Sequence, residues 1–234
     1  VDATWMQAIA AEMNLSETAF VYRLADGFSL RWFTPRVEVP LCGHATLATA
    51  HILWQEAWLQ PQETAHFYTK SGWLSAQKLA DQIALDFPLQ TYQVLAVPEL
   101  LSQALGITVK ALFQAGVNYL VEVANASEVR QLAPNLQALS QLPCLGVIVT
   151  ARSDTNHYDF VARYFAPAAG IDEDPATGSA YCALAPYWAE RLGKLSLQAY
   201  QASARGADLY LELKGERVLI AGQAVTISAG QLWI

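Results

Sequence analysis

Arg163-Tyr164-Phe165-Ala166-Pro167, a short loop, then Glu173-Asp174-Pro175-Ala176-Thr177-Gly178-Ser179-Ala180-Tyr181-Cys182-Ala183-Leu184-Ala185 restates an earlier stretch of the same chain. Residues 31–50 read Arg31-Trp32-Phe33-Thr34-Pro35, a shorter loop, then Glu38-Val39-Pro40-Leu41-Cys42-Gly43-His44-Ala45-Thr46-Leu47-Ala48-Thr49-Ala50. Both fit Arg-aromatic-Phe-(Thr/Ala)-Pro, a spacer, then Glu-x-Pro-x-(Cys/Thr)-Gly-(His/Ser)-Ala-x-x-Ala-x-Ala. So many matched positions in one order point to an internal duplication, with two half-molecules of similar design.

Each copy has a physical logic. The Arg-aromatic-Phe run reads as a strand end, and the prolines stop it. Pro40 and Pro175 then lie just before a helix start, with predicted helices over 43–57 and 177–191. Glycine at the start, Gly43 or Gly178, leaves the free backbone N–H groups approachable by a ligand. A helix start with its positive dipole end favours anions. Two such starts suggest one cleft between two domains that grips an acidic substrate, with Cys42, Gly43, Thr177 and Gly178 as substrate-binding positions. The competing reading is two buried helices whose glycines serve packing alone.

Composition narrows the class. Hydrophobic residues make up 53% and charged residues 15%, enough for a sizeable core and too apolar for disorder. The net charge of −7 and the absence of a Lys/Arg cluster argue against nucleic-acid binding. No apolar run reaches the length of a membrane span, so no membrane partner is expected. Three cysteines without a Cys-x-x-Cys make a disulfide framework improbable, and a cytoplasmic location is the simplest expectation. Val1 is not Met and the first element is already a helix, so a leading segment is expected to precede this stretch.

In chain order, residues 3–13 predict a helix with Trp5, Met6, Ile9 and Met13 on one stripe, ended by Asn14. A strand over 19–24, a turn at Asp26-Gly27 and a strand over 28–33 follow. Three short strands fill 64–87. The second half predicts a helix over 98–105, strands near 109–114 and 118–124, a helix near 126–132, and strands over 145–151 and 158–165. The tail from Leu195 to Ile234 reads as short strands turned at Gly206, Gly215, Gly222 and Gly230. The fold class is therefore α+β, with a first domain over 1–89 (plus about 228–234) and a second over 90–227. No G-x-G-x-x-G, P-loop or G-x-S-x-G is present.

Five residues could carry chemistry. Glu17, at a helix-to-strand junction, could shuttle a proton or simply be an exposed or capping acid. His44 sits at a helix start, where the dipole should lower its pKa and keep it neutral. Asp174 could orient His44 or cap the second helix, as Glu38 and Glu173 could cap theirs. Ser179 matches His44 and could donate to a substrate oxygen. Cys42 at a helix N-terminus should have a lowered pKa. Its counterpart is Thr177, so a symmetric two-thiol racemase is broken. His44 and His51 are about two turns, ~10 Å, apart and cannot share a metal. With no His-x-x-x-His, and no His and Cys at ligand spacing, no metal is expected.

Asn14-Leu15-Ser16-Glu17-Thr18, Pro40-Leu41-Cys42-Gly43-His44-Ala45-Thr46 and Arg163–Pro167 with Glu173–Ala180 together resemble the PhzF-like, phenazine-biosynthesis isomerase family over essentially the whole chain. The resemblance implies a diaminopimelate-epimerase-like fold: two similar domains, each a β-barrel-like sheet wrapped round a central helix, with the active site between. It implies Glu17 as general acid/base, His44, Asp174 and Ser179 as supporting residues, no cofactor, and often a homodimer. Family members usually begin with a strand and an Asn-Pro loop that this chain lacks. In the related thiol epimerases Cys42 would match one catalytic cysteine, with Thr177 in place of the other. The function expected is a cofactor-independent isomerase that moves a proton on a small carboxylic acid through Glu17. The alternatives are a thiol-assisted racemase using Cys42, or a non-catalytic small-molecule-binding protein.

Overall fold

The computed structural model describes residues 2–233; Val1 and Ile234 lie outside the described residues. The first half holds α1 (Ala3–Met13), β1 (Thr18–Leu24), β2 (Gly27–Phe33), β3 (Glu38–Val39), α2 (Gly43–Gln55), β4 (Ala65–Thr69), β5 (Gly72–Leu79) and β6 (Gln82–Pro88). The second holds β7 (Tyr92–Leu95), α3 (Glu99–Leu105), β8 (Ala111–Ala115), β9 (Asn118–Glu122), α4 (Ala126–Gln131), α5 (Leu136–Leu139), β10 (Val147–Arg152), β11 (Phe160–Phe165), α6 (Tyr181–Leu192), β12 (Ser196–Gln201), β13 (Ala207–Lys214) and β14 (Arg217–Gly222). Single-turn 3₁₀ segments cover Pro167–Ala169 and Gly178–Ala180.

The duplication is written in the strand pairing. In the first half β1 pairs antiparallel with β2, β2 runs parallel to β4, and β4, β5 and β6 follow antiparallel. In the second half β10, β11, β12, β13 and β14 repeat that order and those directions. The parallel step is where each half crosses over, through α2 in one and α6 in the other. The two halves join through an antiparallel β6–β14 pair, Arg217 opposite Pro88 to Gly222 opposite Ile83, so one sheet runs through the molecule. Strands β9, β8 and β7 extend it at the second half's end.

Both crossover helices are core. Helix α6 buries Tyr181 to Ala185 and Tyr187 to Ala189, almost its whole circumference, as a helix surrounded by sheet must. Its Pro186 cannot donate to the Cys182 carbonyl, and the Gln90 N–H fills that vacancy at 2.9 Å. Helix α2 carries buried Thr46 and Thr49, whose hydroxyls donate to the Cys42 and Ala45 carbonyls one turn back.

Several boundaries differ from the sequence reading. Helix α2 stops at Gln55 rather than 57, because Ala57 takes a left-handed φ of 55° and the Trp58 N–H turns back to the Leu53 carbonyl. The second helix begins its α-helical turns at Tyr181, after a tighter 3₁₀ turn from Gly178. On α1, Met6 and Ala10 are the buried positions and Met13 is exposed. Beyond Gly222 the tail carries no strand through Trp233, and Gly230 turns none.

Glu38 and Glu173 are not helix caps. Each makes a bidentate ion pair with the arginine of its own repeat: Arg31 to Glu38 at 2.8 and 2.9 Å, Arg163 to Glu173 at 2.7 and 2.9 Å. Each guanidinium also lies over the phenylalanine two residues on, 5.2 Å from the Phe33 ring centroid and 4.8 Å from that of Phe165. The hydrogen-bonded Arg31 and nearby Lys70 hold the Glu38 carboxyl down at about 2. The repeated Arg-aromatic-Phe…Glu motif is thus a clamp that fixes the strand end against the loop leading into each helix.

Candidate active site

The two clamped loops bring the two helix starts together. A Cβ on Gly43 would stand 2.8 Å from the Gly178 Cα, and one on Gly178 would stand 2.9 Å from the Gly43 Cα. Each glycine makes room for the other, so close packing accounts for both. They still border a cleft of about 600 Å³, shared with His44, Ala176, Arg205 and Asp208.

Glu17, in the loop between α1 and β1, points its side chain, 7% exposed, at the first helix start. Its Oε2 lies 2.8 Å from His44 Nε2. On the other side of the ring, His44 Nδ1 lies 2.8 Å from the Ala176 carbonyl and 3.8 Å from Asp174 Oδ1. The carbonyl can only accept, so Nδ1 carries a proton. Cys42 Sγ sits 3.8 and 3.7 Å from the two ring nitrogens. His44 therefore ties a residue of the first half to the loop of the second.

This reverses the charge expected from the helix dipole. Burial disfavours the His44 imidazolium, but Cys42, Glu17 and Asp174 around it outweigh burial and raise its pKa well above 6.5. Cys42 is corrected in the opposite sense: complete burial pushes its thiol up in spite of the helix start. Burial also raises Asp174, with His44 pulling it back and Glu17 adding to the rise.

The second helix start is braced rather than open. Asp174 Oδ2 accepts from the Thr177 hydroxyl at 2.7 Å, and Oδ1 accepts from the Ala176 N–H at 3.3 Å. Gln201, 1% exposed on β12, accepts the Thr177 N–H at 2.8 Å and donates to the Asp174 carbonyl at 2.7 Å and the Thr177 hydroxyl at 3.1 Å. Thr177 is thereby committed within the protein and does not face the cleft. Ser179, half-buried in the 3₁₀ turn, makes no side-chain hydrogen bond among the described residues. Of the residues singled out in the sequence, Glu17, Cys42, His44 and Asp174 form one cluster, and Gly43, Gly178 and His44 border the cleft. Gln201 and Arg205 were missed. Gln201 looks like any strand glutamine, and Arg205 lies in a loop with no motif of its own.

A duplicated strand–helix–parallel-strand unit with a site at the paired helix starts defines an epimerase-like fold. A probable proline racemase of Agrobacterium radiobacter shares that fold, with a TM-score of 0.65 at 12% identity over 100% of this chain and 82% of that one. The family model for phenazine biosynthesis-like proteins, PhzC-PhzF, matches residues 1–230, and the chain belongs to this family. An uncharacterized isomerase of Halalkalibacterium halodurans is 48% identical over 99% of this chain and 88% of its own length. The crystal structure of a PhzF-family protein of Enterococcus faecalis superposes with a TM-score of 0.94 at 40% identity, covering 100% of this chain and 89% of that one.

Proposed function

We propose that the protein is a cofactor-independent isomerase that removes a proton from a small carboxylic acid and returns it at another position, with Glu17 as general acid/base. The observation that carries this reading is the buried contact of Glu17 with His44 at 2.8 Å, beside a cleft that His44 also borders. Family membership and the isomerase class given to the relative from Halalkalibacterium support the reaction type. An imidazolium beside Glu17 holds that side chain in place, and it offers a second proton donor at the cleft wall. Asp174, 5% exposed, orients His44 from the far side. Arg205, the basic side chain other than His44 among the cleft-lining residues, suits an acidic substrate.

The thiol-racemase alternative is disfavoured by Cys42 itself, which is 5% exposed and whose thiol burial pushes up, and by the committed hydroxyl of Thr177 in the second position. The test is solvent-proton exchange by NMR in D₂O against a panel of small amino and cyclic acids that includes dihydro-hydroxyanthranilate. Deuterium entering one compound with wild-type protein, and not with Glu17→Gln, is the expected result. Exchange that survives Glu17→Gln and vanishes in Cys42→Ser would overturn the role of Glu17.

A further inference from the structure

The cluster at the first helix start has a property that proton transfer does not require. One ligand-capable atom from each of Glu17, Cys42 and His44 lies within 4.8 Å of the other two. The His44 Nδ1–H is spent on the Ala176 carbonyl at 2.8 Å, which leaves Nε2 as the outward ligand atom. A backbone carbonyl on the far nitrogen is the usual way a metal-binding histidine is oriented. Glu17 Oε2 is buried and has no hydrogen-bond partner among the described residues, although Nε2 lies 2.8 Å away. The contact has the length of an ion pair without the direction of a hydrogen bond. A buried acceptor that meets its one cationic neighbour without hydrogen-bond geometry calls for an explanation.

We propose that Glu17, Cys42 and His44 form a three-ligand site for a borderline-soft divalent cation such as zinc(II), and that the bound ion reversibly blocks the proton shuttle. The donor set of one thiolate, one imidazole and one carboxylate selects zinc over magnesium or calcium. Adjacent ligand atoms on a tetrahedral zinc stand roughly 3.5 Å apart. Cys42 Sγ lies 3.7 Å from His44 Nε2 and 3.8 Å from Nδ1, against the ring, so its side chain must swing towards Nε2 to join the ion. The Glu17–His44 contact must open by about half an ångström, a small side-chain adjustment on the same scale. Binding takes the thiolate and the neutral imidazole, so the thiol proton and the imidazolium proton leave to solvent. Three protein ligands leave a fourth position for water or a carboxylate oxygen. Sequence spacing hid this site because Glu17 reaches it from another element. The blocking role rests on the proposed function; the binding site does not.

The experiment is titration of metal-free protein with cobalt(II), followed by competition with zinc(II). One equivalent of cobalt should produce a near-ultraviolet thiolate-to-cobalt band, which zinc then removes. A variant with both Cys144→Ser and Cys182→Ser should keep the band, since Cys42 is its remaining thiol. Cys42→Ser should abolish it, and Glu17→Gln should weaken binding at least ~10-fold. Circular dichroism checks that each variant is folded. No band from folded wild-type protein, or loss of the band in the variant that retains Cys42, would overturn the site. In a parallel exchange assay zinc should suppress deuterium incorporation at the concentration that fills the site. A band in protein that exchanges no compound keeps the metal site and defeats the isomerase reading. Exchange that proceeds with the site filled keeps that reading and defeats the block.

Discussion

The two helix starts share a scaffold and differ in their chemistry. Both have the Arg–Glu clamp, the arginine over phenylalanine, and a glycine pressed against its counterpart. The first adds His44 and Cys42, where the second has Ser179 and Thr177. The register of the strands extends the comparison to Glu17. Thr18 lies opposite Phe33 as Val147 lies opposite Phe165, so Glu17 corresponds to Gly146. A Cβ on Gly146 would stand 2.3 Å from the Tyr164 hydroxyl, which donates to Asn118 at 2.9 Å. The space that holds a carboxylate in one half is filled by a phenol in the other. Duplication has kept the frame in both halves, while the clustered carboxylate, thiol and imidazole sit in one, with Asp174 reaching them across the join.

The largest effect should separate the halves by activity. Glu17→Gln should cut turnover and solvent exchange by about 10²- to 10⁴-fold, the usual contribution of a general acid/base, with substrate affinity little changed. Ser179→Ala, at the counterpart of His44, should change turnover by less than about tenfold. Steady-state rates of both variants on the compound found by NMR make the comparison. Equal losses would mean that the two halves share the proton transfer.

His44 should dominate stability at the join. His44→Gln leaves two carboxylates facing each other without a cation, at a cost of about 3 kcal/mol near neutral pH. The sign with pH follows from its raised value. The stabilisation is fully present below the unfolded-state value of 6.5 and is lost as pH rises through the folded value, well above it. Urea midpoints of the wild type should therefore fall on the alkaline side of neutrality, and those of His44→Gln should fall less steeply. Parallel slopes for the two proteins would show that His44 is neutral in the fold, as its helix position alone suggested.

How much of this was legible follows the range of each interaction. The duplication, the central helices and the paired glycines are local patterns, repeated twice, so one chain displayed them. Glu17, His44 and Asp174 were singled out from their motifs, but the charge on His44 was not legible. It depends on Cys42 packed against the ring and on carboxylates brought from two other loops. The roles of Glu38 and Glu173 were misjudged because their arginines lie across a loop. Gln201 and the Gly146–Tyr164 exchange depend on tertiary neighbours with no fixed spacing. The missing strands beyond Gly222 fail for a related reason: a β-rich pattern predicts extended backbone but cannot supply the neighbour that makes it a strand.

The shared frame can be tested by equal damage. Gly43→Ala and Gly178→Ala each drive a methyl into the facing backbone, and backbone cannot rotate away as a side chain could. Each should cost about 1–3 kcal/mol, with the two thermal midpoints lowered alike. A large loss at Gly43 beside none at Gly178 would show that the second start can move aside, and would break the equivalence of the two halves.

The smallest effect is the most discriminating for the chemistry. Thr177→Cys restores a thiol to the position matching Cys42, which a symmetric two-thiol racemase would need. Here the position is closed: the Thr177 hydroxyl donates to Asp174 and accepts from Gln201, and the residue is 5% exposed. A thiol placed there loses those hydrogen bonds and gains no access to the cleft. The substitution should cost about 1–2 kcal/mol of stability and produce no racemisation. Chiral analysis of small amino acids incubated with the variant makes the check. New racemase activity would mean that the second helix start opens in solution, and that Thr177, rather than the buried brace behind it, is what keeps this half chemically silent.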